Sequence, residues 1–123
     1  MKIKTYKELR VFQIAFDLAN QIFDLSKSFP NEEKYSLTDQ IRRSSRSVCA
    51  NIAEAYGSRL YEKMFISKLV IALSEATESQ VWLDFCKTNK YIEIATHENL
   101  HKEYGHIIAM IKTMISNVDK WTV

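Results

Sequence analysis

Apolar residues recur at three- and four-residue intervals over four stretches of this chain, and that spacing is the mark of amphipathic helices. In residues 6–28, Phe12, Ala15, Phe16, Ala19, Ile22 and Phe23 form one stripe, and Val11, Ile14, Leu18 and Leu25 lie beside it. Together they cover roughly 220° of a helical wheel at about 100° per residue, wider than one core-facing stripe requires. The first helix is therefore expected to face both its own core and a second surface. "SFPNEEKYS" breaks the pattern, with Pro30 and Asn31 as the strong turn signal. Ser36 then stands at an N-cap position with Asp39 three residues on. Leu37, Ile41, Ser44, Val48, Ile52 and Tyr56 follow at helical spacing as far as Gly57, a C-terminal stop.

Ser58 can cap a third helix over residues 60–88, about 43 Å long at 1.5 Å per residue. Its main stripe is Phe65, Leu69, Ala72, Ala76, Leu83 and Cys86, and a flank carries Met64, Ile71 and Trp82 with Glu75 and Glu78 among them. Asn89 suits its end and Thr96 the start of a fourth helix over residues 97–119. There Leu100, Tyr104, Ile107, Ile108, Ile111, Ile115 and Val118 recur. Four helices at about 6–28, 37–56, 60–88 and 97–119 with short links predict an all-α, up-down-up-down antiparallel four-helix bundle, a single domain over residues 1–123. The unspent flanks of the first and third helices predict self-association.

Composition agrees with long helices: 46% of residues are apolar, and two glycines and one proline leave few turn residues. A formal charge of +2 is far from the strong basicity of a dedicated nucleic-acid module. The charge is uneven, however. Lys2, Lys4, Lys7 and Arg10 oppose only Glu8, and residues 42–46 are purely basic, whereas residues 74–103 are acidic on balance. An anionic partner would meet a patch. Cys49 and Cys86 have no metal or redox spacing and read as buried thiols of a reducing compartment. With neither a signal peptide nor a membrane-length apolar run, the protein is expected to be cytoplasmic, with no membrane partner.

The second helix carries a resemblance. In "QIRRSSRSVCANIAEAYGSR", Gln40, Ile41, Arg42, Arg43, Asn51, Ile52, Ala53 and Glu54 fit a run found in the small four-helix-bundle proteins encoded in intervening sequences of bacterial large-subunit (23S) ribosomal RNA genes. Relatives of that family include the accessory variability proteins of diversity-generating retroelements. Leu9, Val11, Ala15, Asp17, Leu18, Phe29, Pro30, Glu33 and Tyr35 echo its first helix and loop. Leu69, Ala72, Glu75, Ala76, Glu78, Trp82 and Leu83 in "KLVIALSEATESQVWL" echo its third. The chain departs from it at Cys49, where many members have proline, and at Ala55, where glycine is usual. The resemblance implies a bundle protomer assembling into a ring, a homopentamer, without established enzymatic activity. It further implies nucleic acid or a protein, such as a reverse transcriptase, as candidate partners.

Two patterns bear on chemistry. His97, Glu98 and His101 in "HENLH" match His-Glu-x-x-His, in which two histidines one turn apart hold zinc and the glutamate activates water. The extended protease pattern needs Gly and His where Tyr104 and Ile107 stand, and His106 projects about 140° from His101 on a continuous helix. A metal-dependent hydrolase is thus the runner-up, and no metal or cofactor is expected. Glu54, Glu75 and Glu78 read as partners of arginines before catalytic carboxylates. Trp82 with Phe85, and Tyr6 with Phe12, read as core or interface before base-stacking platforms.

The arginines of the second helix leave three readings open: pairing with Glu75 or Glu78 inside the bundle, pairing across a subunit boundary, and phosphate binding. Arg42 and Arg46 are expected in an ion network with Glu75 and Glu78. The expected phosphate contacts are Lys2, Lys4, Lys7 and Arg10, with Arg43 and Arg59 as additions. The leading expectation is a non-enzymatic oligomeric scaffold that binds RNA, DNA or a protein partner. A purely structural oligomer or partner adaptor without nucleic-acid binding is the alternative.

Overall fold

The computed structural model describes residues 2–123. Four long helices, α1 (Arg10–Ser26), α2 (Leu37–Gly57), α3 (Glu62–Thr88) and α4 (Ile94–Ser116), are followed by a short α5 (Val118–Trp121). Each helix packs on the next, most extensively α2 on α3, and α4 closes on α1. The register is antiparallel. Ser44 meets Ser79 and Glu54 meets Lys68 between α2 and α3, and Gln80 meets His101 and Asp84 meets His97 between α3 and α4. The predicted all-α antiparallel bundle is therefore what forms, and no strand occurs among the described residues.

The core is built from one stripe of each helix: Val11, Ala15, Leu18 and Ile22 of α1; Ile41, Val48 and Ile52 of α2; Phe65, Leu69, Ala72, Ala76, Leu83 and Cys86 of α3; Leu100, Tyr104, Ile107 and Ile111 of α4. On α1 the two predicted stripes are shared out differently than their spacing suggests. Val11 and Leu18 are buried, while Phe12 flanks the core, Phe23 is half-buried under Arg42 and Arg46, and Phe16 remains 54% exposed. On α3, Met64, Ile71, Val81 and Phe85 are exposed as well. α1 and α3 thus carry apolar surface that the protomer does not cover.

The helix ends depart from expectation for identifiable reasons. Residues 6–8 are a separate 3-10 turn. Thr5 Oγ1 accepts from the Lys7 amide while the Glu8 carboxylate accepts from the Lys4 and Thr5 amides at 2.6 and 2.9 Å, a capping box on one short turn. Leu9 is extended before α1 starts. Ser36 holds the N-cap position of α2 without capping it; its hydroxyl donates to Glu33 at 2.6 Å. Glu33 also accepts from the Tyr91 hydroxyl at 2.9 Å and reaches the Leu37 amide, and these bonds, Ser36 first, lower its pKa. Gly57 ends α2 with a negative φ, and the Arg59 Nε–H, donating to the Tyr56 carbonyl at 2.9 Å, satisfies that terminus. α3 begins at Glu62, two residues later than expected, and α4 begins at Ile94, three residues earlier. The left-handed residue that closes α3 is Lys90, at φ 63°, with Lys90 and Tyr91 amides returning to the Lys87 and Cys86 carbonyls.

Candidate nucleic-acid interface

Three chain segments meet at one end of the bundle. The N-terminal arm is held there because the Tyr56 hydroxyl, at the end of α2, donates to the Ile3 carbonyl at 2.9 Å. The C-terminus is held there because the Val123 amide donates to the Arg59 carbonyl at 3.1 Å. An apolar groove formed by Ile3, Leu9, Val11, Met110, Met114 and Trp121 lies between them. Apolar anchoring of the arm leaves its charged residues outward, and Lys2, Lys4, Lys7 and Arg10 are all exposed.

Folding adds cations from elsewhere in the chain. Arg59 comes from the α2–α3 turn, Lys63 from the first turn of α3, Lys112 from the last turns of α4 and Lys120 from α5. With these eight basic residues stand four acidic ones at the same end, Glu8, Glu54, Glu62 and Asp119, and Glu54 is paired with Lys68 at 3.4 Å. Glu8 is already engaged by the Lys4 and Thr5 amides, which pull its pKa below the usual carboxylate value. The result is a positive end on a chain whose formal charge is only +2. Arg59 is a fixed member of it: its guanidinium lies 3.8 Å from the Tyr56 ring centroid, and its Nε–H closes α2. Lys63, Lys112 and Lys120 could not be assigned from the sequence, where each is a single cation on a polar helix face.

The remaining expected residues fall elsewhere. Arg43 sits on the outer face of α2, bound to Asp39 at 3.2 Å, and does not belong to the basic end. Arg42 and Arg46 lean toward α1, 4.7 and 5.2 Å from the Phe23 ring centroid, and Arg42 Nε–H donates to Ser26 Oγ at 2.7 Å. The ion network expected between Arg42 or Arg46 and Glu75 or Glu78 is thus not formed among the described residues. The reason is helical geometry. Residues 42 and 46 lie on the α1 side of α2, whereas Gln40, Ser44 and Ser47 turn toward α3 and line a shallow groove with Glu75 and Glu78. Arg43 and Arg46 line that groove too, but the Arg43 guanidinium is held by Asp39 and that of Arg46 turns to the Phe23 ring, so neither pairs with Glu75 or Glu78. Desolvation first, and then the adjoining Glu78, raise the Glu75 pKa.

The His-Glu-x-x-His reading also changes. Glu98 is exposed while His97 is buried, so the glutamate does not share a site with both histidines. The carboxylate that meets them is Asp84 of α3, whose Oδ1 lies 2.7 Å from His97 Nε2 and 3.8 Å from His101 Nε2. His106 turns away and approaches Glu103. Cys49 and Cys86 are buried free thiols, and burial pushes them up to about 11 and about 12. No helix among the described residues is long and apolar enough to cross a membrane.

Comparison with known proteins places this arrangement. No curated protein matches the chain. A crystal structure from Bacteroides thetaiotaomicron VPI-5482, described as a protein with unknown function from the S23 ribosomal protein family, superposes with a TM-score of 0.78 at 33% identity. The match covers 86% of this chain and 95% of that one. The family model for the 23S rRNA-intervening sequence protein matches residues 7–113, which takes in the basic Arg10, Arg59, Lys63 and Lys112 and all four long helices but for the last residues of α4. The chain belongs to the 23S rRNA-intervening sequence protein family.

Proposed function

We propose that this protein is a non-catalytic, self-associating helical scaffold that binds nucleic-acid backbone through its basic end. The observation that carries the reading is the convergence of Lys2, Lys4, Lys7, Arg10, Arg59, Lys63, Lys112 and Lys120 at one end against four carboxylates, Glu8, Glu54, Glu62 and Asp119. Phosphate contacts of this kind position a ligand without reading its sequence. One protomer gives a modest footprint. Copies held together by the exposed flanks of α1 and α3 repeat it, and several weak contacts made at once raise apparent affinity through effective concentration. A pentameric ring, as the family resemblance implies, would present five such ends.

The test is a titration of labelled RNA and DNA, single-stranded and duplex, at several salt concentrations. Light scattering is run in parallel to establish a species several times the 14.4 kDa chain mass. Binding should be largely independent of sequence. For duplex DNA the log-log salt slope should be about −0.9 for each phosphate engaged. Replacing Lys2, Lys4, Lys7 and Arg10 with alanine should weaken binding and flatten the slope while the oligomer persists. Absence of binding at low salt, or affinity unchanged by the quadruple variant, overturns the proposal.

A further inference from the structure

We propose that Asp84, His97 and His101 form a site for one divalent transition cation, zinc in the first instance, that clamps α3 to α4. His97 and His101 stand one turn apart on α4, with ring centroids 5.3 Å apart. The antiparallel neighbour supplies the third donor. Asp84 Oδ1 lies 2.7 Å from one Nε2 and 3.8 Å from the other, and the three donor atoms lie within 4.8 Å of one another. Ligands about 2.0–2.2 Å from a tetrahedral cation sit roughly 3.4 Å apart, so the short contact opens and the wider ones close by modest side-chain rotations. His97 is the fixed post, its side chain 9% exposed, while Asp84 and His101 are 53% and 40% exposed and have room to rotate.

The donor set selects the cation. Two imidazole nitrogens and one carboxylate suit zinc and its transition-metal neighbours; magnesium and calcium demand oxygen cages. Solvent beside Asp84 and His101 can supply a water as fourth ligand. His97 also limits the affinity. Without metal, its Nε2–H donates to Asp84; with metal on Nε2, the ring proton belongs on Nδ1, which is buried without a hydrogen-bond partner. Ligating histidines ordinarily have an acceptor there, and losing one costs about 10- to 100-fold in affinity. The site should therefore bind more weakly than a fully supported structural zinc site. Glu98 has no place in the coordination, so the cation acts as a brace between helices.

The full chain, stripped with chelator and desalted, is titrated with Co²⁺, read by the visible absorption of four-coordinate cobalt, and then back-titrated with Zn²⁺. One equivalent per chain is expected, displaced by zinc. His101→Ala and Asp84→Asn, both at partly exposed positions, should each lower affinity by about tenfold or more. His106→Ala, whose ring lies beside Glu103, should not. Zn²⁺ should raise the melting temperature of wild type but not of His101→Ala, and both proteins should melt as folded helical species without metal. Three results overturn the proposal: substoichiometric binding, binding unchanged in His101→Ala and Asp84→Asn, or an equal loss in His106→Ala.

Discussion

Arg42 offers the sharpest test of how α1 and α2 are joined. Truncation to alanine removes an Nε–H bond to Ser26 Oγ at 2.7 Å and a guanidinium 4.7 Å from the Phe23 ring centroid. A hydrogen bond from a charged donor contributes about 1.5–3 kcal/mol, and a cation over an exposed ring about 0.5–1 kcal/mol. Arg42 is only half-buried, which favours the lower ends of both ranges, and alanine recovers a few tenths in helix propensity. The expected cost is about 2 kcal/mol. Ser26 is 3% exposed and its hydroxyl also donates to the Phe23 carbonyl at 2.7 Å, so Ser26→Ala should cost about 1 kcal/mol by itself.

The informative quantity is the coupling between the two. Urea denaturation of wild type, both single variants and the double variant, at one fixed chain concentration because self-association adds to stability, should return a coupling of about 1 kcal/mol. Arg42→Lys should recover little, since it keeps the charge but lacks the Nε–H and the planar fork. Nucleic-acid affinity should be unchanged in Arg42→Ala, because this arginine is turned to Phe23 and away from the basic end. Single losses that add to within about 0.3 kcal/mol, or full stability in Arg42→Lys, would refute the assignment of Arg42 as a structural tie.

Three other outcomes follow from local geometry. Lys90 holds a left-handed conformation at φ 63°, so Lys90→Gly should raise stability by about 0.5–1 kcal/mol, and a loss in urea denaturation would contradict the strain assigned there. Glu75 has its pKa raised above 4.5 by desolvation and Glu78, so the folded chain holds this proton more tightly than the unfolded one. Its contribution is therefore intact below pH 4.5 and lost as pH rises through the raised value. Glu75→Gln should thus be more stable than wild type at pH 7 and lose most of that advantage at pH 4; equal differences at both pH values would show that Glu75 is not the titrating group. Cys49 and Cys86, pushed up to about 11 and about 12, should resist iodoacetamide at pH 8 in the folded chain and react once unfolded, which mass spectrometry reads directly.

The four long helices were legible because burial follows a period of 3.6, and the stripe of α3 read from the chain, Phe65 through Cys86, is the stripe that is buried. On α1 the period was ambiguous. Apolar residues occupy too much of the wheel to say which edge faces inward, and Phe16 proved to be on the outside. Helix ends were less legible, since they depend on which oxygen reaches a free amide. Thr5 and Glu8 do spell a capping box, a signal present in the chain, yet Glu33 rather than Ser36 supplies the side-chain oxygen that reaches the Leu37 amide at the start of α2. The arm Lys2, Lys4, Lys7 and Arg10 was visible as a local run of charge. Its union with Lys63, Lys112 and Lys120 was not, because it requires knowing that both chain termini return to the α2–α3 corner.

Register is the property that separates the readable from the unreadable sites. Between α3 and α4, contacts step in opposite directions: Gln80 reaches the His101 carbonyl at 3.1 Å, and four residues on, Asp84 meets His97, four residues back. A slip of one turn moves one helix about 5.4 Å past the other, and Asp84 would then face a different pair of α4 residues. Such a slip keeps every apolar stripe pointing inward, so binary patterning cannot exclude it. What resists it is shape: Phe65, Leu69 and Leu83 on α3 and Leu100, Tyr104 and Ile107 on α4 are at most 1% exposed, and large side chains packed without exposure fit their neighbours in one alignment. The meeting of Asp84 with His97 and His101 therefore follows from core packing, while "HENLH" taken alone pointed to Glu98, the wrong carboxylate.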